Sequence, residues 1–173
     1  MARHAQEIAT LLVAFTLLGC PFESDTPMGT LENASIDTRL LGTWVCRNLA
    51  EAEPETGRIQ VFQFNAREYY LEIDEGKGFD DRLRAYATPL EGEVAILNVQ
   101  RIVGEMPRPY YAAGYRFEAN GELRFRILDD QTRADVASSS DDRSQMIEEH
   151  LGTPDAEKSK AVHCTRPLAQ GNS

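Results

Sequence analysis

The chain has 173 residues, a formal net charge of −10 at pH 7 and 42% hydrophobic residues. This acidity argues against binding to the phosphate backbone of nucleic acids, which needs a basic surface, and against electrostatic docking on anionic lipid headgroups. The length suits one domain behind an N-terminal segment, since a domain of about 150 residues buries about two-thirds of its extended-chain surface.

The first 20 residues are typical of an export signal. A short basic head precedes an apolar run over residues 8–18, which is too short for a membrane span of ~20 residues. The run ends in Leu17-Leu18-Gly19-Cys20, which resembles the lipobox of bacterial lipoproteins. The resemblance implies removal of residues 1–19 and lipidation of Cys20 with diacylglycerol and palmitate. It also implies a lipid-anchored envelope protein, on the outer membrane facing the periplasm in a Gram-negative cell. The alternative is an ordinary secretory signal with an unmodified cysteine.

The segment after Cys20 is polar and rich in turn formers such as Pro27 and Gly29. This composition predicts that residues 20–35 are a flexible tether between the lipid and the folded body. Ile36 and Leu40 have helical spacing, which predicts one short helical turn that Gly42 ends. The folded domain is therefore expected over residues 36–173.

Eight short strands with turn signals between them are predicted after this turn. Their bounds are 43–48, 58–65, 68–74, 81–88, 93–102, 110–118, 122–128 and 161–167. Apolar and polar residues alternate in several of them, which indicates antiparallel sheet with one wet face. Asn120-Gly121 predicts a tight hairpin of type I′. Many short strands of this kind suggest a barrel or a sandwich.

One helix is predicted, before the last strand. Residues 129–140 are polar and are expected to be irregular. Ser139 then begins a pattern that resembles a capping box. Ile147 and Leu151 give a narrow apolar stripe, and Gly152 ends the helix. We expect this helix to lie on the outside of the sheet.

The order of these elements resembles the lipocalin-like (calycin) barrels. A short turn leads into Gly42-Thr43-Trp44 at the head of the first strand, followed by a run of strands, a helix and a closing strand over residues 36–167. The resemblance implies a mainly β, up-and-down antiparallel barrel of about eight strands. In such barrels the Trp plugs the closed end and the interior holds a small, often apolar, ligand. An Arg from a late strand stacks over the Trp, and the candidates here are Arg124, Arg126 and Arg166.

Two cysteines remain once Cys20 is assigned to the anchor. Cys46 lies on the first predicted strand and Cys164 on the last. Exported proteins keep disulfides, and the first and last strands of a closed barrel are neighbours. We therefore expect a disulfide between Cys46 and Cys164 that stabilises the fold by about 4–5 kcal/mol on the chain-entropy model. The alternative is two buried free thiols.

The aromatic residues are the candidate ligand-binding residues. A ligand in the interior would be lined by Trp44, Phe62, Phe64, Tyr111, Tyr115, Phe117 and Phe125. The alternative is that these side chains are simply the core, because an eight-stranded barrel is just wide enough for side chains to fill.

Catalytic and metal-binding motifs are not found in the sequence. It has no nucleophile elbow, no Gly-rich phosphate loop and no His-Glu-x-x-His. His163-Cys164 lacks the further ligands that a tetrahedral site needs. We therefore expect no enzyme activity, cofactor or metal. Two functions remain: a tethered module that binds a small apolar ligand, and an envelope lipoprotein with a filled barrel and a protein-binding surface.

Overall fold

Eight antiparallel strands close into a barrel in the computed structural model, which describes residues 24–48, 56–74, 79–102, 109–139, 142–152 and 161–167. The strands are β1 (Gly42–Asn48), β2 (Thr56–Gln63), β3 (Tyr69–Asp74), β4 (Phe79–Pro89), β5 (Val94–Arg101), β6 (Tyr110–Phe117), β7 (Leu123–Ile127) and β8 (Val162–Thr165). Each strand pairs with the next, and β8 closes on β1. The expected up-and-down barrel of lipocalin-like layout is confirmed, with every strand bound within two residues of its prediction.

The barrel has two unlike ends. One end, which we call the floor, is where β1 begins at Gly42 and β6 ends at Phe117. The opposite end, which we call the mouth, is where β3 ends at Asp74 and β6 begins at Tyr110. At the floor, a 3₁₀ turn over Thr38–Leu40 leads into β1 and forms the predicted helical turn.

The β6–β7 hairpin is present, but its turn differs from the predicted type. Gly121 has a positive φ of 82°, whereas no residue other than glycine has a positive φ among the described residues. A type I′ turn needs a positive φ at both central residues, so Asn120 excludes it. The amide of Gly121 donates to the carbonyl of Glu118, and Glu118 pairs with Glu122. This is the three-residue hairpin loop that ends in a left-handed glycine.

Two helices precede β8, and the second is the predicted one. This helix, α2 (Arg143–Leu151), ends at Gly152, which has a φ of 72°. The other helix, α1 (Asp130–Ser138), occupies a segment for which the sequence predicts irregular structure. The side chain of Asp129 caps α1 by accepting a hydrogen bond from the amide of Thr132. No helix within the described ranges is long and apolar enough to cross a membrane.

The helices cover part of the outer surface of the barrel and form a second core there. Ile147 and Leu151 of α2 are fully buried, as is Leu128. They pack with Val136 of α1 against outward-facing residues of β5 and β6, namely Val94, Ile96 and Ala112. The expected outside position of α2 is therefore observed. The side chain of Ile147 packs closely on Gly114 of β6, since a Cβ atom at that position would lie 2.7 Å from Ile147.

The chain before the floor lies on the outside of the barrel. Residues 24–34, which we call the strap, begin at the mouth, where Ser24 pairs with Tyr110. The amide of Met28 then donates to the side chain of Asn98 on the outer face of β5. The sequence predicts a flexible tether over residues 20–35, and the described part of it is docked instead. Bonds to buried polar side chains hold it, and its polar composition does not reveal them.

Candidate ligand-binding interior

The interior surface follows from the alternation along the strands. On each strand every second side chain points inward, and those side chains form one continuous apolar cluster. Its fully or nearly fully buried members are Trp44, Cys46, Val61, Tyr69, Leu71, Leu83, Ala85, Ala87, Ala95, Tyr115, Leu123 and Cys164. The partly buried members that pack against it include Ile59, Ile73, Leu97, Val99, Phe117, Phe125 and Val162.

Trp44 is the centre of the floor. It is 1% exposed, and its indole N–H donates to the carbonyl of Leu40 in the 3₁₀ turn at 2.8 Å. The guanidinium carbon of Arg166 lies 3.7 Å from the centroid of its ring. Arg166 also donates to the carbonyls of Arg39 at 2.6 Å and Leu41 at 2.7 Å. Of the three candidates, Arg166 is therefore the arginine that stacks over the Trp.

Gly42 makes this arrangement possible. Its φ of +108° is unfavourable for other residues, and a Cβ atom there would lie 2.7 Å from Nη1 of Arg166. The glycine thus serves both the turn into β1 and the close approach of the guanidinium. Each member of the Gly42-Thr43-Trp44 motif has a structural place at the floor, since Arg166 also lies 3.5 Å from the carbonyl oxygen of Thr43.

A second contact fixes the turn to the barrel. The amide of Asp37 donates to the phenol oxygen of Tyr69, which is fully buried, at 2.6 Å. Arg39 lies over the ring of Phe117, 4.5 Å from its centroid, and forms ion pairs with Asp37 and Glu93. These pairs are half-exposed and contribute little stability. The floor is closed mainly by buried rings and by hydrogen bonds to backbone carbonyls.

The predicted disulfide between Cys46 and Cys164 is present. The two residues are directly opposite each other in the β1–β8 pairing, and their side chains are buried in the interior. β8 is the shortest strand, with four residues. The disulfide therefore reinforces the seam at which this short strand closes the barrel on β1.

Four of the predicted ligand-lining aromatics come together inside. Trp44 and Phe117 have ring centroids 6.1 Å apart, and Tyr115 and Phe117 meet edge to face at 6.2 Å. Tyr115 is 4% exposed, and Phe125 lies opposite it on β7. The group reaches from the floor toward the middle of the interior.

Phe62 and Phe64 lie elsewhere. Phe62 is 46% exposed and Phe64 is 64% exposed. Val61, next to Phe62 on β2, is buried inside, so the pleat turns Phe62 outward. Its ring packs on Tyr70 of the neighbouring strand, at 6.1 Å between centroids. The structure thus corrects the expectation that these two phenylalanines line the interior.

Exposure of the interior side chains rises toward the mouth. Trp44 and Tyr69 at the floor are almost inaccessible, whereas Val99 and Tyr111 near the mouth are partly exposed. Ile59, Ile73 and Val162 are also partly exposed on this side, whereas the partly exposed Phe117 and Phe125 lie closer to the floor. Tyr111 lies opposite Val99 in the sheet. Among the described residues, several apolar side chains that point inward near the mouth are therefore only partly buried.

A cavity of about 280 Å³ lies beside the floor. Ala87, Ala95 and Tyr115 form its inner wall, and Asp37 and Arg39 stand on its rim. Tyr111 is not among its lining residues. The small alanine side chains leave this space where larger residues would fill the barrel. Its volume is near the lower limit of ligand pockets, which is about 300 Å³.

The ionisable groups inside are neutral phenols. Burial raises the pKa of Tyr69 to about 12, and it raises the pKa of Tyr115 still further. Both hydroxyls therefore keep their protons at neutral pH. Tyr115 lines the cavity beside the floor, so its hydroxyl is the one that can donate a hydrogen bond to a polar ligand group. Within the described ranges, no three His, Cys, Asp or Glu side chains are grouped so that they could hold a metal ion.

Comparisons with known proteins add no relative: no family model, no curated protein and no solved structure matches the chain. The arrangement at the floor and the mouth is therefore the basis for functional inference. Cys20, the predicted lipidation site, lies outside the described residues.

Proposed function

We propose that this protein is a lipid-anchored envelope lipoprotein whose barrel binds a small, largely apolar ligand without catalysis. The ligand enters at the mouth and lies against the inward-facing side chains between the mouth and the floor. The observation that carries this proposal is the difference in exposure between the two halves of one apolar interior.

Apolar side chains that are left partly exposed lose part of the free energy gained by burial, about 25 cal/mol per Å². Ile73, Val99 and Phe125 point into the barrel, where a filled core would have covered them. An apolar ligand would complete their burial. Tyr111 and Tyr115 on the same face of β6 add aromatic surface with one polar atom each.

The lipid anchor is supported by the lipobox-like Leu17-Leu18-Gly19-Cys20. A single acyl chain binds membranes only marginally, whereas two or more hold a protein firmly. Growth with a radiolabelled fatty acid tests the anchor. The label is expected on the full chain and absent from Cys20→Ser; equal labelling of both proteins, or of neither, would refute lipidation.

Ligand binding is tested with a naturally fluorescent polyene fatty acid as the probe. Two variants introduce the same charge at adjacent positions of β2: Ile59→Arg places it inside the barrel, and Gln60→Arg places it on the outer face. We expect probe binding to weaken at least tenfold in Ile59→Arg and to remain within twofold in Gln60→Arg. A tenfold loss corresponds to about 1.4 kcal/mol, well below the cost of burying an unpaired cation.

Two controls make the result decisive. Urea unfolding confirms that each variant is folded, and native mass spectrometry of the protein purified from its own membrane shows whether a ligand is retained. Absence of probe binding by the wild-type protein, together with absence of a retained ligand, would overturn the binding proposal.

A second candidate function is favoured by the exposed aromatics on the other side of the barrel. Phe62, Phe64 and Tyr70 lie together on the outer face of β2 and β3 and at the end of β2. Exposed apolar patches of this kind mark protein interaction sites. If the protein acts as an assembly factor, native mass spectrometry is expected to show a retained protein partner that is lost in Phe62→Ser with Phe64→Ser. A partner retained by this double variant would exclude the patch as its binding site.

A further inference from the structure

The start of the strap lies at the rim of the mouth. The backbone amide of Ser24 donates to the carbonyl of Tyr110 at 3.0 Å, and the carbonyl of Ser24 accepts from the amide of Tyr110 at 2.8 Å. Tyr110 is the first residue of β6, and β7 ends earlier, at Ile127, which pairs with Ala113. Ser24 therefore pairs with β6 beyond the point where β7 has left the sheet. The polypeptide that comes from Cys20 meets the barrel at this rim.

The strap is fixed over its length by hydrogen bonds to polar side chains of the barrel and of α1. Asn98 is 1% exposed, accepts from the amide of Met28 at 2.7 Å and donates to its carbonyl at 3.0 Å. Arg133 of α1 donates to the carbonyl of Thr26, and the hydroxyl of Tyr86 donates to the carbonyl of Gly29. Removing the strap would leave the buried amide of Asn98 without these bonds, and an unsatisfied buried polar group is costly.

The number of residues between Cys20 and Ser24 limits how far the lipid can lie from the mouth rim. Four peptide units separate Cys20 from Ser24, and a fully extended chain of that length spans roughly 14 Å. The floor is further away, because β6 alone covers about 23 Å between its first and last residues at ~3.3 Å per residue. A lipid on Cys20 can therefore reach the mouth rim but cannot extend to the floor.

From this geometry we propose that the barrel stands with its mouth toward the membrane that holds Cys20, so that the mouth rim faces the bilayer surface. This inference rests on the proposed lipidation of Cys20. An apolar molecule would then pass between the bilayer and the interior over a short path. The partly exposed side chains of Val99 and Tyr111 would face the bilayer rather than open solvent.

The strap rather than charge attraction sets this orientation. The net charge of −10 gives anionic headgroups nothing to attract. A tether of fixed length is insensitive to ionic strength, whereas attraction between charges is screened within about 8–10 Å at physiological salt. We therefore expect the orientation to be the same at low and high salt.

The orientation is tested on the full processed chain in phosphatidylcholine vesicles that contain a headgroup-labelled acceptor lipid. A genetically encoded fluorescent residue replaces Ile127, at the end of β7 nearer the mouth, in one sample and Asn120, in the hairpin at the floor, in another. We expect energy transfer to the acceptor to be several times stronger from position 127 than from position 120. Equal transfer from the two positions, or stronger transfer from position 120, would overturn the orientation.

A linker variant controls for effects of the barrel itself. Insertion of roughly twelve Gly and Ser residues between positions 22 and 23 adds a coil with an r.m.s. span of about 19 Å. The strap and the barrel are unchanged, so the difference between positions 127 and 120 is expected to diminish or vanish. A difference that persists in full would show that the short connection does not orient the barrel, and would overturn the proposal.

Failure of the strap and failure of the anchor are distinguished by a second measurement. Spin labels are attached to genetically encoded residues at two positions of the protein in detergent. One label is at position 22 and the other is at position 127 or 120, and the pair reports the distance between them. A distance from 22 to 127 that is narrow and shorter than that from 22 to 120 supports the strap geometry. Broad, similar distributions overturn the orientation and leave the lipoprotein proposal standing. If the distances are as expected but Cys20 takes up no radiolabelled fatty acid, both the orientation and the lipoprotein proposal are overturned. Nothing would then attach the mouth rim to a membrane.

Discussion

The floor and the mouth are two ends of the same eight strands, and they are built from different interactions. At the floor, Trp44, Tyr69 and Arg166 each bond to backbone atoms of the 3₁₀ turn or of the residues that flank it. Near the mouth, inward-facing side chains such as Val99 and Ile73 are apolar and partly exposed. The residues that close the floor are thus different from the partly exposed residues near the mouth, so stability and binding should respond to different substitutions.

The largest expected effect comes from the disulfide, which lies between the two ends. Reducing Cys46–Cys164 opens a loop with a sequence separation of 118 residues, and the chain-entropy model gives a loss of about 4–5 kcal/mol in the free energy of unfolding. Urea unfolding with and without reductant measures this loss. The double variant Cys46→Ala with Cys164→Ala is the control, and its stability should not respond to reductant. An unchanged wild-type midpoint under full reduction would contradict the expectation.

The second prediction compares one aromatic residue from each end. Trp44→Ala removes a fully buried ring and a hydrogen bond, and it should cost about 3–5 kcal/mol. Tyr111→Ala removes a partly exposed ring and should cost about 1–2 kcal/mol. Binding of the fluorescent fatty acid should show the opposite order when both variants are compared under conditions where they are folded. Equal losses of stability at the two positions would remove the distinction between the ends.

The third prediction isolates Arg166 at the floor. Arg166→Met keeps much of the aliphatic chain but loses the stacking on Trp44 and the short bonds to the carbonyls of Arg39 and Leu41. We expect a loss of about 2 kcal/mol in the free energy of unfolding. The matched control Arg58→Met changes an exposed arginine of β2 and should stay within about 0.5 kcal/mol. If both variants had the same stability, Arg166 would have no special role at the floor.

Much of the barrel could be predicted from the sequence, because its strands alternate with a period of two and Gly and Pro separate them. The β2 strand shows where this reasoning fails. Ile59 and Val61 share one face, and Phe62 and Phe64 share the other, so both faces look apolar. Pairing with β1 and β3 decides which face is inside, and the sequence of one strand does not contain that information.

Two other differences have a tertiary cause. The α1 helix was not predicted because it buries little apolar surface: among its residues, Val136 and the long side chain of Arg133 are the buried ones. The strap has the composition of a tether, but Asn98 on a distant strand holds it. The stacking of Arg166 on Trp44 likewise depends on barrel closure, which brings β8 beside β1. Long-range contacts of this kind leave no local pattern.

The smallest expected effect is a dependence of stability on pH. It comes from His150 of α2, which lies outside the barrel and at neither end of its interior. Burial lowers the pKa of His150, and the positive charge of Arg126 lowers it further, while a bond to the carbonyl of Ile127 and the nearby Asp129 oppose the shift. His150 is therefore neutral in the folded protein at pH 7, where its ring contacts the hydroxyl of Thr132. The histidine of the unfolded chain has a pKa near 6.5. Because the pKa of His150 is lower in the folded protein, the unfolded chain binds more protons than the folded protein once the pH falls below about 6.5.

The stability contributed by neutral His150 is thus fully present above about pH 6.5 and is lost as the pH falls below that value toward the folded pKa. The pKa of His163 is lowered in the same way because this residue is also partly buried.

We expect the free energy of unfolding to decline between pH 7 and pH 5, and His150→Gln to show a smaller decline than the wild type. Trp44→Ala removes no titratable group, so this variant should keep the wild-type slope. A His150→Gln slope equal to that of the wild type would show that this ring is not protonated on unfolding. A changed slope in Trp44→Ala would show that α2 and the floor are coupled, contrary to their separate cores.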